Sequence, residues 1–188
     1  LEAVNYTNLH QDVIDRCKAG DRSAQFTLYK LYAKAMLNSA YRIVKNTAGA
    51  EDVVQESFLR AFKNIHLYKG ESSFGSWLKR IVINQALSSL RREKVVWFSV
   101  EDKYDSLQEI LVENEEAEWN YQASLVKAKI EQLPEGYRII LQLYLLEGFD
   151  HGEIAEYLGI SESTSKTQYS RAKQKLRMML ESKTTHTG

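Results

Sequence analysis

Three groups of side chains have types and spacings suited to binding chemistry. Near the C-terminus, Ser163, Thr164, Lys166, Thr167, Gln168, Ser170, Arg171 and Lys173 put short polar groups and cations on one stretch. On a helix lying in a major groove, Thr164, Thr167 and Gln168 suit base or sugar contact. The cations Lys166, Arg171, Lys173 and Lys175 suit phosphates. In the first half, Arg80, Asn84 and Arg91 fall within a narrow window at about 100° per helical residue, with Ser88 beside them. This face is built to meet something polar, and phosphates and base edges fit, since arginine pairs with phosphate and asparagine can bond base edges. The third group is acidic: Asp52, Gln55 and Glu56, with Leu59, occupy adjacent rows of one helix inside an otherwise basic region. Such a row is either a solvated helix face or a docking surface for another protein.

The elements that must position these groups read as helices. Gly is scarce at 9 residues and Pro134 is the one proline, so few positions break a helix, and an almost all-α protein is expected. A length of 188 residues fits two small helical domains. One long amphipathic helix is expected through Phe26, Leu28, Tyr29, Tyr32, Met36, Leu37, Ala40, Tyr41 and Val44, broken at Asn46 to Gly49. A second begins near Thr47 and buries Val54, Phe58 and Ala61. A third starts at Ser73 as N-cap and runs to Arg92, with Phe74 and Trp77 at inward spacing. Tyr68 lies in the loop between them, off such spacing.

Towards the C-terminus, helices are expected at Tyr121 to Leu133 and, with Pro134 in a favourable first-turn place, at Glu135 to Leu146. Asp150 and Glu153 have capping-box spacing, Gly159 closes that helix, and Ser161 caps the next. Its inward stripe reads Ser165, Tyr169, Ala172, Leu176 and Met179. The pair forms a helix-turn-helix.

Formal net charge is zero, yet the charges are segregated: Glu101 to Glu118 holds eight acidic residues and one basic, Lys103. That segment reads as a tether between the halves. The layout expected is one domain over 8–94, an acidic linker over 95–120 with Trp97 and Trp119 at its ends, and a second domain over 121–183. One cysteine, Cys17, allows no internal disulfide, no apolar run reaches membrane-spanning length, and no signal-peptide layout opens the chain. A cytoplasmic location is expected. Four His and one Cys show no metal-ligand spacing, and no phosphate loop or nucleophile elbow occurs. Neither catalysis, a metal nor a cofactor is expected.

Longer strings carry a resemblance. GFDHGEIAEYLGISESTSKTQYSRAKQKLRMML resembles region four, the promoter −35-binding part, of alternative sigma factors. AGAEDVVQESFLRAFKNI resembles the segment of sigma region two that docks on the clamp helices of RNA polymerase, and HLYKGESSFGSWLKRIVINQALSSLRREK its −10-recognising part in the extracytoplasmic-function group. The resemblance implies that Asp52, Gln55, Glu56 and Leu59 meet core polymerase. It further implies that Tyr68, Arg80, Asn84, Ser88 and Arg91 meet the melted −10 strand, with a base captured by the loop His66 to Ser73, where Tyr68 is a better stacking candidate than the inward Phe74 and Trp77, and that the C-terminal group meets duplex −35 DNA. An anti-sigma factor is the other implied partner, and the linker is implied to thread the polymerase cleft. Three positions depart from the pattern: Ser165 replaces a usual apolar residue, Gln168 a frequent Arg, and Ser88 a common Asp. The competing assignment is a helix-turn-helix regulator independent of polymerase, which would need neither the acidic row nor the Arg80, Asn84 and Arg91 face.

Overall fold

The described residues of the computed structural model are 10–93 and 125–181. Their regular elements are all helices, without a strand among the described residues, and the chain divides into two units between Val95 and Val96. The acidic segment Glu101 to Glu118, Trp97 and Trp119 lie outside the described residues.

In unit 1 the chain forms α1 (Gln11–Lys18), α2 (Arg22–Val44), α3 (Thr47–Lys63) and α4 (Phe74–Glu93), with a 3-10 turn at Ile65–Leu67. Each boundary has a local cause. Asp21 caps α2 by accepting from the backbone N–H groups of Ser23 and Ala24. The helix ends where Lys45 turns left-handed at φ 58° and donates its N–H to Tyr41, after which Asn46 at once caps α3 through Ala48. Two residues therefore join a helix of 23 residues to one of 17. Helices α2, α3 and α4 pack on one another, and α1 packs on α2. Leu28, Met36 and Ile43 of α2, Val53, Val54 and Phe58 of α3, and Phe74, Leu78 and Ile83 of α4 are buried. Each such side chain contributes about 1.5–3 kcal/mol of transfer free energy.

The rotation of α2 differs from the sequence expectation. Phe26 is 59% exposed, and Tyr29 and Tyr41 also face out, whereas small Ala24, Ser39 and Ala40 are buried. Small residues on the inner stripe let α3 and α4 approach closely. The displaced rings are covered by cations instead, Lys30 over Phe26 at 4.4 Å and Lys45 over Tyr41 at 5.7 Å. Helix α1 escaped the sequence reading because Ile14 and Cys17 are its two buried apolar residues, too few to show a period.

Unit 2 comprises α5 (125–131), α6 (Glu135–Leu145), α7 (His151–Leu158) and α8 (Glu162–Glu181). The expected start of α5 at Tyr121 lies outside the described residues. Pro134 is the N-cap of α6, one place ahead of the first turn expected for it, and its carbonyl accepts the Arg138 N–H. Ile130, Leu133, Tyr137 and Leu141 pack with Ala172 and Leu176 of α8. Polar groups are buried here as well: Gln142 donates to Glu131 at 3.2 Å and accepts from Arg138 at 3.3 Å, while Glu135 lies 3.6 Å from the guanidinium. The capping box at α7 is complete, since Glu153 N–H donates to Asp150 at 2.8 Å and Asp150 N–H to Glu153 at 3.1 Å. Gly159 at φ 67° turns the chain where a side chain would be strained, and the Ser161 hydroxyl accepts the Thr164 N–H.

Candidate nucleic-acid interface

Three polar faces emerge, two on unit 1 and one on unit 2. On α3, burial of Val53, Val54, Ser57, Phe58 and Ala61 fixes the helix so that Asp52, Gln55, Glu56 and Leu59 all face solvent. Leu59 is 71% exposed, an apolar side chain one turn beyond Glu56. Glu56 is held from α4 by the buried Gln85, whose amide donates to its carboxylate. The row is thus fastened to the neighbouring helix.

On α4, Arg80, Asn84, Ser88 and Arg91 are all exposed on the side opposite Leu78, Val82, Ala86 and Leu90. The helix starts where expected, with Ser73 Oγ accepting the Ser76 N–H at 3.2 Å. Phe74 is buried and Trp77 half-buried, as their spacing suggested.

Tyr68 requires a correction. The ring expected to stack on an extruded base is 3% exposed, edge-on to Phe74 at 5.5 Å and against Trp77 at 5.3 Å. Its hydroxyl donates to the Ser72 carbonyl at 2.6 Å, and the Tyr68 carbonyl accepts from Lys18 Nζ at 2.9 Å. Tyr68 therefore braces the loop from inside and offers no open ring face. The solvent-facing residues of that loop are His66, Leu67, Lys69, Glu71 and Ser73. Tyr32 completes the aromatic cluster, 5.3 Å from Phe74, and burial raises its phenol above the ordinary value. Gly75 packs closely here, since a Cβ would come within 3.1 Å of the Tyr32 ring and the ring would have to shift by a few tenths of an ångström. Lys18, Tyr32 and Gly75 were missed, since they join this site through tertiary contacts with no local signature.

On α8, Ser163, Lys166, Thr167, Ser170 and Lys173 are exposed, and Thr164 and Arg171 half-exposed. Several already have partners within the helix: Lys166 pairs with Glu162 at 2.6 Å, Thr167 donates to the Ser163 carbonyl at 2.9 Å, and Lys173 lies 5.1 Å over Tyr169. Exposed pairs of this kind contribute little, so exchange for a phosphate costs little. Gln168 also requires correction: it is buried, at 8% exposure, and cannot meet a base in this arrangement. The stripe set by Ser165, Ala172 and Leu176 is broad enough to take in residue 168 on one flank and Tyr169 on the other. Burial and the neighbouring Tyr144 raise the Tyr169 phenol. Ser165, polar on the packing stripe, is fully buried with its hydroxyl 3.0 Å from His151 Nδ1.

Among the described residues no cluster of His, Cys, Asp or Glu is arranged to hold a metal, and no helix is long and apolar enough to cross a membrane.

Comparison with known proteins follows the same division. Residues 28–95 match the family described as Sigma-70 region 2, and residues 124–176 match Sigma-70, region 4. Similar curated proteins include the ECF RNA polymerase sigma factor SigW of Bacillus subtilis, 29% identical over 89% of this chain and 94% of that one. The RNA polymerase sigma-H factor of Pseudomonas aeruginosa is 30% identical over 87% and 90%. Among solved structures, CnrH in complex with the cytosolic domain of CnrY shares the fold at a TM-score of 0.54 and 21% identity, covering 90% of this chain and 96% of that one. The sigma factor RpoE of Bartonella quintana, solved with the anti-sigma factor NepR, does so at 0.53 and 20%, covering 82% and 95%.

Proposed function

Since the chain belongs to the extracytoplasmic-function group of sigma-70 family RNA polymerase sigma factors, we propose that it binds core polymerase, directs it to specific promoters and helps open the −10 element. The observation that carries this reading is the pair of exposed faces on packed helices of one unit: the Asp52, Gln55, Glu56 and Leu59 row on α3, and the Arg80, Asn84, Ser88 and Arg91 row on α4. A self-sufficient regulator has no use for both.

The parts divide as follows. Residues 8–94 form the polymerase- and −10-binding domain, 95–120 the acidic linker that threads the polymerase cleft, and 121–183 the −35-binding domain. Carboxylates on α3 steer and register the docking, while Leu59 adds apolar contact at the same spot. Arg80 and Arg91 hold phosphates of the melted strand, Asn84 and Ser88 reach its bases, and the exposed side of the loop His66 to Ser73 receives the extruded base. Extrusion costs a few kcal/mol, offset by those contacts. In the −35 duplex, Ser163, Thr164, Thr167 and Ser170 address the groove, and Lys166, Arg171 and Lys173 the phosphates. The protein acts in the cytoplasm, contributes no catalysis or cofactor of its own, and is restrained by an anti-sigma factor, the kind of partner with which RpoE of Bartonella quintana was solved.

The test is reconstitution with core polymerase, scored by co-migration and promoter-dependent transcription. Charge reversal at Asp52 plus Glu56 is expected to weaken polymerase binding by roughly tenfold or more. Lys166→Ala plus Arg171→Ala is expected to spare it while lowering the salt slope of −35 binding by about two. Tight binding to duplex DNA alone, with no affinity for polymerase, would overturn the reading in favour of the regulator.

A further inference from the structure

Ser165 occupies an unusual place. It lies one turn into α8, on the inward side, while its neighbours Lys166 and Thr167 face the solvent. It is completely buried, and a buried hydroxyl without a partner is costly. Its partner is His151 Nδ1, 3.0 Å away on the first residue of α7. His151 is in turn held by rings from two other helices. It stacks on Tyr144 of α6 at 4.8 Å with planes 22° apart, and meets Tyr169 of α8 edge-on at 5.4 Å, while Tyr144 and Tyr169 are themselves 4.5 Å apart. The imidazole therefore has its position fixed by α6 and α8 and presents one nitrogen to the N-terminal third of α8.

We propose that His151 and Ser165 are a positioning pair that sets the orientation of α8 for base reading, and hence part of the −35 specificity. The proposal rests on the functional reading given above. An apolar residue at position 165 would pack without direction, tolerating small rotations of α8 about its axis. A hydrogen bond between two fixed groups does not, because it weakens steeply with angle. A rotation of α8 moves Ser163, Thr167 and Ser170 relative to base edges far more than it moves long lysines relative to phosphates. Loss of the pair should therefore reduce discrimination between bases before it reduces overall affinity.

Holoenzyme reconstituted from the full chain and core polymerase, offered promoters with a fixed −10 element and a randomised −35 element, reads discrimination directly. His151→Phe keeps the ring stack and removes the bond, Ser165→Ala removes it from the other side, and His151→Asn restores a polar atom near the place of Nδ1. We expect His151→Phe and Ser165→Ala each to lower discrimination at the preferred −35 bases by about tenfold, the scale of one mismatched base pair. The double variant should lose no more than either single one, and His151→Asn should recover most of the loss. Affinity for unrelated duplex DNA and its salt slope should stay unchanged. If Ser165→Ala does not fold, the contrast between His151→Phe and His151→Asn decides alone. Unchanged discrimination in folded His151→Phe overturns the proposal, as do additive losses in the double variant, or specific and non-specific affinity falling together. A wild-type holoenzyme that transcribes but selects no −35 sequence also overturns it while leaving polymerase binding and −10 opening intact. One that fails to bind polymerase overturns the functional reading instead.

Discussion

The two units hold the elements proposed to meet DNA in different ways. In unit 1, the loop His66 to Ser73 and the start of α4 rest on a cluster of Tyr32, Tyr68, Phe74 and Trp77, with ring centroids 5.3 to 5.6 Å apart where they touch. In unit 2, the Tyr144, His151 and Tyr169 rings also pack together, but the helix-turn-helix is oriented by small polar devices: the Asp150 and Glu153 box, the Ser161 cap, and the Ser165 to His151 bond. Apolar burial is large and has no direction, whereas a hydrogen bond is worth about 0.5–1.5 kcal/mol net and has one. A loop with few backbone hydrogen bonds of its own needs the first kind of support. A helix that must present a chosen face to base edges needs the second.

The largest effect that would break this contrast is expected at Phe74. Phe74→Ala removes the centre of the aromatic cluster and should destabilise unit 1 by about 3–5 kcal/mol, seen as loss of amide protection in α2 to α4 while α5 to α8 keep theirs. With it should go −10 opening, measured by permanganate reactivity of melted thymines. A cost below about 1 kcal/mol would show that the cluster is not what supports the loop.

A smaller effect is expected in unit 2. Asp150→Ala deprives the Glu153 N–H of its acceptor and breaks the reciprocal box, which should cost about 1 kcal/mol and raise exchange at the first amides of α7. Base discrimination at −35 should suffer more than the stability change suggests, because α7 carries His151. If Asp150→Ala destabilised the chain as much as Phe74→Ala, the contrast between burial and local fastening would fail.

The same difference explains what the sequence disclosed. Caps and turns are written locally: Asp150 and Glu153 are three residues apart, and both bonds expected of that spacing form. The Ser73 cap, the Gly159 turn, and the outward faces of α3 and α4 were equally legible, because each follows from spacing along one helix. Burial is decided between helices and was less so. The rotation of α2 turns on Ala24, Ser39 and Ala40 letting neighbours approach, which its bulkier Phe26 and Tyr41 conceal. Tyr68 sits in a loop, where no period reveals an inward ring, and Gln168 lies on the edge of a stripe whose width only packing defines. The partner of Ser165 is 14 residues away on another helix, so its polarity looked like an unexplained departure.

Unit 1 also uses polar fastenings, among them the Ser73 cap and the Tyr68 to Ser72 bond, and at Asp21 the contrast can be sharpened by pH. Its carboxylate accepts from Arg16 at 2.6 Å as well as from the Ser23 and Ala24 N–H groups, so it both caps α2 and ties α1 to it. The bond from Arg16 foremost, with that from Ser23, holds its pKa below the ordinary 3.8. A carboxylate with a depressed folded-state pKa adds stability that is fully present above the unfolded value and is lost as pH falls through the folded one. Asp21→Asn keeps a cap acceptor but no charge, so wild type should be the more stable at neutral pH, with the gap closing only below the ordinary carboxylate value. Denaturant titrations of both proteins at stepped pH measure that gap. Because solvent still reaches the Asp21 carboxylate and its Arg16 partner the gap should be the smallest of the three effects, and a gap that persisted undiminished after Asp21 protonates would mean that the cap geometry, and not the charge, joins α1 to α2.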